Sequence, residues 1–443
     1  MTNGQVIEPA GRLSGELRVP GDKSISHRAL LISAVGEGKC RIEGLSDSLD
    51  VGATRSVLAS LGVQIISNSQ SPVEAPQLST RGSDWEILVE GRGWSGLQPP
   101  SDVLNCGNSG TTARSLIGVV AGRPFETSLD GDKSLKRRPM LRVVEPLRAM
   151  GAGIDGGEDG RYLPLRVRGG DLDGIEHRSP VASAQIKTCL MLAGMQASGE
   201  TAIEEPGASR DHSERMLEYL GVSIVRSPNR VVVKSTNIQN ASSLSVPGDL
   251  SSAAFLLVGA AILPGSEVTV HDVGLNPTRT GILEVLERFG ARVETSEVRE
   301  VCGEPRGTVT VRAGDRRPVS IGGADIVRTV DELPLVAVLG AYAEGETVLA
   351  DAAELRVKES DRIATMASGL RAMGAQIDTT PDGLVVRGIG GLRGAAVEAA
   401  GDHRIAMALA IAGLGAEGPT QVSGWESVAI SYPGFLSAVE DLL

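Results

Sequence analysis

Two patterns of apolar and polar positions recur along the chain. The first, Leu-x-x-apolar-Gly-Val/Ala-x-Ile/Val, occurs at Leu58–Ile65, Leu147–Ile154, Leu217–Ile224, Leu286–Val293 and Leu370–Ile377. Each copy predicts an amphipathic helix ended by a glycine cap and followed by a strand. The second pattern is a polar start, an alanine- and leucine-rich helix, a glycine and a short strand. Its copies begin near Ser24, Ser109, Ser183, Ser251, Asp331 and Asp402. The strands that follow include Lys39–Ile42, Phe125–Leu129, Thr201–Glu204, Glu267–Val270, Thr347–Leu349 and Thr420–Val422. Successive starts lie about 70–85 residues apart, too far for a tetratricopeptide or ankyrin array. The unit therefore holds two helices and several strands.

Alanine-rich helices with almost no aromatic residues can pack close together, so they read as inner, buried helices with strands outside them. Six such units in one solenoid would need capping ends, and none is visible. Two domains of three units each are expected. The turns Val19-Pro20-Gly21-Asp22 and Val246-Pro247-Gly248-Asp249 each precede a serine-led helix. If the chain crosses between domains there, one domain is 21–247 and the other is 1–20 plus 248–443. The alternative, that both are ordinary turns within one domain, stays open.

Composition narrows the function classes. The net charge is −12, and the chain has four Phe, four Tyr and three Trp. Nucleic-acid binding by base stacking needs aromatics on a basic surface, and this chain offers neither in bulk. Cys40, Cys106, Cys189 and Cys302 are far apart, and the histidines are scattered without metal-ligand spacing. No secretory or transit signal is read at the N-terminus, and the longest apolar run, Ala253 to Leu263, is too short to span a bilayer. The expectation is a cytoplasmic, monomeric protein with no nucleic-acid or membrane partner.

Candidate chemistry clusters where the second pattern begins. A helix N-terminus carries unpaired N–H groups and attracts anions. In Pro20–Arg28, Lys23 and Arg28 flank Ser24, an arrangement suited to phosphate or carboxylate, and His27 reads as a structural neighbour. In Asn105–Arg114, small polar residues and Gly107 and Gly110 permit close approach of a ligand to the backbone. Cys106 in that segment reads as buried rather than nucleophilic. Gly131–Met140 carries four cations within Lys133–Arg138 and is either a solubilising tip or an anion clamp. Asp331 and Glu332 would cap their helix; if Arg356–Arg362 is helical, Lys358 and Arg362 share a face, and the alternative is a salt-bridged surface turn with Glu359 and Asp361 neutralising the run. Asp402-His403-Arg404 repeats the cation-at-helix-start theme. The G-x-G-x-x-G match at Gly151–Gly156 follows a helix and opens a strand, the wrong context for a dinucleotide.

The ordered set Pro20–Arg28, Gly107–Arg114, Gly131–Met140, Ser183–Lys187, Ser209–Leu217, Asn276–Gly281, Glu354–Arg362 and Asp402–Met407 resembles the 5-enolpyruvylshikimate-3-phosphate synthase family of enolpyruvyl transferases over essentially the whole chain. The resemblance implies an α/β protein of two domains. Each is an inside-out α/β barrel of three β-α-β-α-β-β repeats, with the active site in the cleft between them. It implies transfer of the enolpyruvyl group of phosphoenolpyruvate to the 5-hydroxyl of shikimate 3-phosphate through a tetrahedral ketal, releasing phosphate, on the route to chorismate. No metal, nucleotide or organic cofactor is implied. On the same ground Lys23, Asn108, Gly110, Arg138, Gln185, Arg362 and Arg404 match the phosphoenolpyruvate contacts. Lys23, Ser24, Arg28, Ser183, Ala184, Gln185, Ser209, Arg210, Asp331 and Lys358 match the shikimate 3-phosphate side. Asp331 is the candidate base, Glu359 the candidate proton donor, and Lys23 completes the catalytic set.

Two positions qualify the resemblance. Ala429-Ile430-Ser431-Tyr432-Pro433 lacks the lysine that some members carry shortly before a C-terminal Phe-Pro. Gly110 stands where glyphosate-tolerant members often have alanine, so sensitivity is the expectation. The related UDP-N-acetylglucosamine enolpyruvyl transferases use a cysteine in the loop where this chain offers Lys133, and read Ala-Lys-Asn where it has Asp22-Lys23-Ser24. A non-catalytic anion-binding repeat protein would not need Asp331 and Glu359 among its cations.

Overall fold

A computed structural model describes residues 4–67 and 86–443. The five Leu-x-x-apolar-Gly segments close the helices Leu49–Ser60, Leu141–Ala149, His212–Tyr219, Gly281–Phe289 and Arg362–Ala372. Strands Gln64–Ser67, Gly153–Gly156, Val225–Ser227, Arg292–Val301 and Gln376–Thr380 follow them in turn. The glycine of every copy has a left-handed backbone, with φ of +84° at Gly62, +109° at Gly151, +78° at Gly221, +105° at Gly290 and +97° at Gly374. Glycine adopts that conformation at no steric cost, which is why the helix stops there.

The apolar helices are Lys23–Val35, Gly110–Val120, Ala184–Gly194, Leu250–Ile262, Leu333–Tyr342 and His403–Leu414. Every residue of the last three is buried, as befits helices without a polar face. Ser109, Ser183 and Asp402 accept backbone N–H groups of the helices they precede. Two caps lie slightly earlier than the sequence pattern places them, at Asp22 and Asp249 rather than Ser24 and Ser251. Before Leu333–Tyr342 neither expected carboxylate caps: Glu332 makes no side-chain cap bond, and Asp331 turns to basic side chains.

One sheet plan recurs outside these helices. Leu104–Asn105 runs parallel to Glu126–Asp130, which pairs antiparallel with Tyr162–Arg168 and then Gly153–Gly156. The same order relates Glu176–Arg178, Glu200–Glu204, Arg230–Lys234 and Val225–Ser227. It appears again in Ser320–Ile321, Glu344–Leu349, Gly383–Ile389 and Gln376–Thr380. The last repeat is split, with Gln5–Ile7 and Ala396–Glu398 flanking Thr420–Ser423 and a separate pair Leu392–Arg393 with Ala416–Glu417. The fold is thus α/β with helices inside and sheets outside.

Apolar side chains gather in two cores. One draws its residues from Ile25 to Val246, and the other from Ile7, Leu13 and Val19 together with Leu250 to Leu442. Ser14–Leu17 lies parallel to Glu267–Gly274 in the second core's sheet, while Ser243–Ser245 lies parallel to Gly36–Glu43 in the first. Where the chain passes between cores, the two turns are held together: the Asp22 N–H donates to the Pro247 carbonyl at 2.8 Å, and the Asp249 N–H to that of Pro20 at 2.8 Å. A side chain at Gly21 would place its Cβ 1.7 Å from the Gly44 carbonyl oxygen, so only glycine fits.

The cap glycines separate two costs. At Gly290 a Cβ would lie 1.8 Å from the Asp315 carbonyl oxygen, whereas at Gly374 nothing lies within 4 Å. Gly374→Ala should cost about 1–2 kcal/mol from backbone conformation alone, and Gly290→Ala distinctly more because the backbone at Asp315 must also move. Urea unfolding of both variants checks this; equal losses would refute the steric account.

Candidate active site

The N-termini of the inner helices converge, and the cations named from the sequence meet there. Lys23 Nζ lies 2.9 Å from the Asp50 carboxylate. Arg28 donates to Ser213 Oγ at 2.8 Å, the Ser24 carbonyl at 2.9 Å, Thr188 Oγ1 at 3.0 Å and the Ala184 carbonyl at 3.4 Å. Burial lowers its pKa to about 10, which still leaves it charged at neutral pH. Gln185, on the same helix as Ala184, accepts from Arg114 at 2.6 Å and donates to Thr111 Oγ1 at 3.0 Å.

Ser183 and Ser209 share one carboxylate. Glu205 accepts the Ser183 N–H at 2.7 Å and the Ser209 hydroxyl at 2.7 Å. Buried Lys187 balances it, 3.0 Å from Glu205 and 2.8 Å from Glu214. Burial alone would lower the Lys187 pKa, but these two carboxylates raise it.

The remaining candidates surround two acids. Asp331 receives Arg210 at 2.5 Å and lies 3.6 Å from Arg404 and 3.8 Å from Arg362. Glu359 lies 2.6 Å from Arg362 and 3.3 Å from Arg138. Arg138 also donates to Asn108 Oδ1 at 2.7 Å, and Asn108 donates to Asp132. Burial would raise the pKa of both acids. Arg404, Arg210 and Lys358 instead hold Asp331, and Arg362 and Arg138 hold Glu359, well below the usual carboxylate range. The same burial lowers the Lys358 pKa. Gly110 brings the backbone beside these groups: a Cβ there would be 2.9 Å from Arg114 Nη1 and 3.3 Å from Arg138 Nη1.

Arg362 is 2% exposed and donates from Nε to Asp402 at 2.8 Å, yet its Nη1 has no hydrogen-bond partner. A buried guanidinium donor left open is costly unless an anion is meant to meet it. Arg138 and Arg114 likewise each keep a buried Nε without a partner. These open donors come from both cores.

The family is settled by comparison. The sequence model of EPSP synthase (3-phosphoshikimate 1-carboxyvinyltransferase) matches residues 7–439. The chain is 46% identical to the 3-phosphoshikimate 1-carboxyvinyltransferase of Syntrophotalea carbinolica, covering 98% of each. The chain belongs to the EPSP synthase family. It is 45% identical to the 3-phosphoshikimate 1-carboxyvinyltransferase of Brevibacillus brevis over 97% of both chains. An EPSP synthase structure from Acinetobacter baumannii superimposes with a TM-score of 0.85 at 38% identity, covering 99% of this chain and 97% of that one. The enolpyruvyl transferase NikO from Streptomyces tendae shares the fold alone, with a TM-score of 0.78 at 17% identity, covering 100% of this chain and 98% of that one.

Against the EPSP synthase fold, several sequence expectations change. Lys358 and Arg362 do not share a helical face: Ala353–Val357 is a 3-10 turn, and the helix begins at Arg362 with Asp361 as its cap. Asp361 therefore works as a cap and as a partner of Arg356 at 2.6 Å. Of the basic loop only Arg138 turns inward, while Lys133, Lys136 and Arg137 stay exposed. Cys106 is fully buried, its thiol pKa pushed up to about 12 by burial. Asp50, Glu205 and Thr111 were given no part by their sequence context, because each meets its partner only after folding. Among the described residues no group of three or more His, Cys, Asp or Glu is arranged to hold a metal ion.

His27 is buried, with Nδ1 2.7 Å from Thr54 Oγ1. Burial, then the charges of Lys23 and Arg28, hold its pKa well below the ordinary 6.5. The unfolded chain thus takes up a proton that the folded one refuses. Stability is full above pH 6.5 and falls as the pH drops below that value, by up to about 1.4 kcal/mol per pH unit. Urea unfolding between pH 7 and 5 should show this loss, and His27→Gln should show a shallower one. An unchanged slope would assign the loss to other groups.

Proposed function

We infer that the chain transfers the carboxyvinyl group of phosphoenolpyruvate to the 5-hydroxyl of shikimate 3-phosphate and releases phosphate, the step that leads to chorismate and the aromatic amino acids. The observation that carries this reading is the meeting of Arg138 from one core with Arg362 and Arg404 from the other, around two acids. Two polyanionic substrates need cations from both sides, and general acid–base chemistry needs the carboxylates. The two cores support domains of 21–247 and 1–20 plus 248–443, with the substrates between them.

In this reading the shikimate 3-phosphate side is formed by Lys23, Ser24, Arg28, Ser183, Ala184, Gln185, Ser209, Arg210 and Lys358. Phosphoenolpyruvate is held by Lys23, Asn108, the Gly110 backbone, Arg138, Gln185, Arg362 and Arg404. Asp331, held ionised, takes the proton of the 5-hydroxyl as its oxygen attacks the substituted carbon of phosphoenolpyruvate. Glu359 supplies a proton to the methylene, giving a tetrahedral ketal. The ketal then loses phosphate by C–O cleavage, and the Glu359 carboxylate takes a methyl proton back to restore the double bond.

Glu359 must carry a proton to play that part, although Arg362 and Arg138 keep it ionised. Substrate anions that engage those arginines weaken the field on Glu359 and raise its proton affinity. The acid is thereby prepared by the substrate it serves.

The same reading includes action as a monomer. No described helix is long and apolar enough to cross a membrane. Four free cysteines support a reducing, cytoplasmic setting.

Phosphate release in a coupled assay should require both phosphoenolpyruvate and shikimate 3-phosphate, with UDP-N-acetylglucosamine unable to replace the latter. Release with either substrate alone would sink the reading. Asp331→Ala should lower turnover by at least about a hundredfold, with substrate binding largely kept; near-normal turnover would remove Asp331 from its role. Gly110→Ala should push Arg138 and Arg114 aside and raise KM for phosphoenolpyruvate more than it lowers kcat, as steady-state kinetics would show.

A further inference from the structure

The Asn276–Gly281 segment supplies none of the substrate contacts proposed above, yet it carries a buried arginine. Arg279 is 4% exposed and stands where the two turns between the cores meet. It donates from Nη1 to Asp22 at 3.1 Å and from Nη2 to Asp249 at 3.2 Å and to Ser251 Oγ at 2.5 Å. Those two carboxylates are the N-caps of the first inner helix of each core, accepting from the Ile25 and Ser251 N–H groups at 2.8 Å and 2.9 Å.

From that point the geometry reaches the site in two directions. Lys23 follows Asp22 directly, and its own N–H donates to Asp249 at 3.4 Å. The Ser251 hydroxyl donates to Glu332, which lies 3.9 Å from Arg404, and Arg404 donates to the Asp331 carbonyl at 3.1 Å. Lys23 and Asp331 belong to different cores, so their separation is set wherever the cores are locked together.

We propose that Arg279 is a positioning residue: by clamping the N-caps of both cores with one planar guanidinium, it fixes Lys23 opposite Asp331 and Arg404. A rigid fork can meet two carboxylates and a hydroxyl at once, which an ammonium group on a flexible stem cannot do in the same geometry. Arg279→Lys keeps the charge that the two aspartates need and loses the fork. Asp249→Asn keeps a good cap and loses one arm of the clamp.

The kinetic part of this inference rests on the reaction read above. Misplacement of about 1 Å is enough to cost a large factor in rate. In Arg279→Lys, KM for phosphoenolpyruvate, which draws on both cores, should rise by about tenfold or more. Kd for shikimate 3-phosphate alone, held mainly by one core, should stay within about threefold. Asp249→Asn should shift the same KM in the same direction by less, and carries the test if Arg279→Lys does not fold. A merely structural role would lower the active fraction and leave KM unchanged, and that outcome overturns the proposal. Hydrogen exchange at the Asp22 and Asp249 amides gives a readout without substrate. Exchange in Arg279→Lys should be about tenfold faster, and unchanged exchange overturns the clamp. If the unaltered protein releases no phosphate while exchange still accelerates, the reaction fails and the clamp stands.

Discussion

The site exists because the inner helices approach one another closely enough for their N-termini to converge. That approach depends on missing side chains. A Cβ at Gly118 would lie 2.1 Å from the Cys189 carbonyl oxygen on the neighbouring helix. Small residues at such contacts let backbones touch, and the polar groups at the helix starts are then carried into reach of one another. Gln185 can find Thr111 only across that short gap. The scarcity of aromatic side chains is the same constraint seen in composition, since rings would hold the helices apart.

Convergence of cations creates an electrostatic problem that the carboxylates solve. Buried arginines cannot stand alone, because desolvation without a partner costs several kcal/mol per ion. Asp402 and Glu359 neutralise Arg362, and Asp331 neutralises Arg210 and Arg404. A set of acids strong enough to cancel every cation would leave nothing for a ligand. The open Nη1 of Arg362 and Nε of Arg138 show that the cancellation is incomplete. The chain's net charge of −12 says little about this place, since binding follows local arrangement while net charge governs solubility.

Local signals were legible in the sequence to the extent that they act within one turn of chain. Gly62, Gly151, Gly221, Gly290 and Gly374 each stop a helix for a reason contained in their own backbone, and the repeat exposed them. Ser109 and Ser183 cap the helices they precede for an equally local reason. Asp331 and Glu332 look like caps by the same logic and are not, because distant cations and the Ser251 hydroxyl compete for them. The spacing of Lys358 and Arg362 suits one helix face, but Asp361, a better cap, starts the helix at Arg362 and leaves Lys358 in the turn before it. Arg279 carried no signal beyond its motif: Asp22 lies 257 positions away, and no local pattern reports such a partner.

The path of the chain explains why that partner matters. Each core keeps a strand laid down just before the chain leaves it, Ser14–Leu17 in one and Ser243–Ser245 in the other. The crossings must therefore pass side by side, and their reciprocal backbone bonds make a short antiparallel contact at Gly21 and Gly248. The first crossing leads directly into the N-terminus that carries Lys23 and Arg28. Topology thus puts the joint between cores within one residue of Lys23, so whatever fixes the joint also fixes the site. A linker placed elsewhere would leave the two halves of the cation set to find each other through flexible chain, at an entropic cost for every residue ordered on binding.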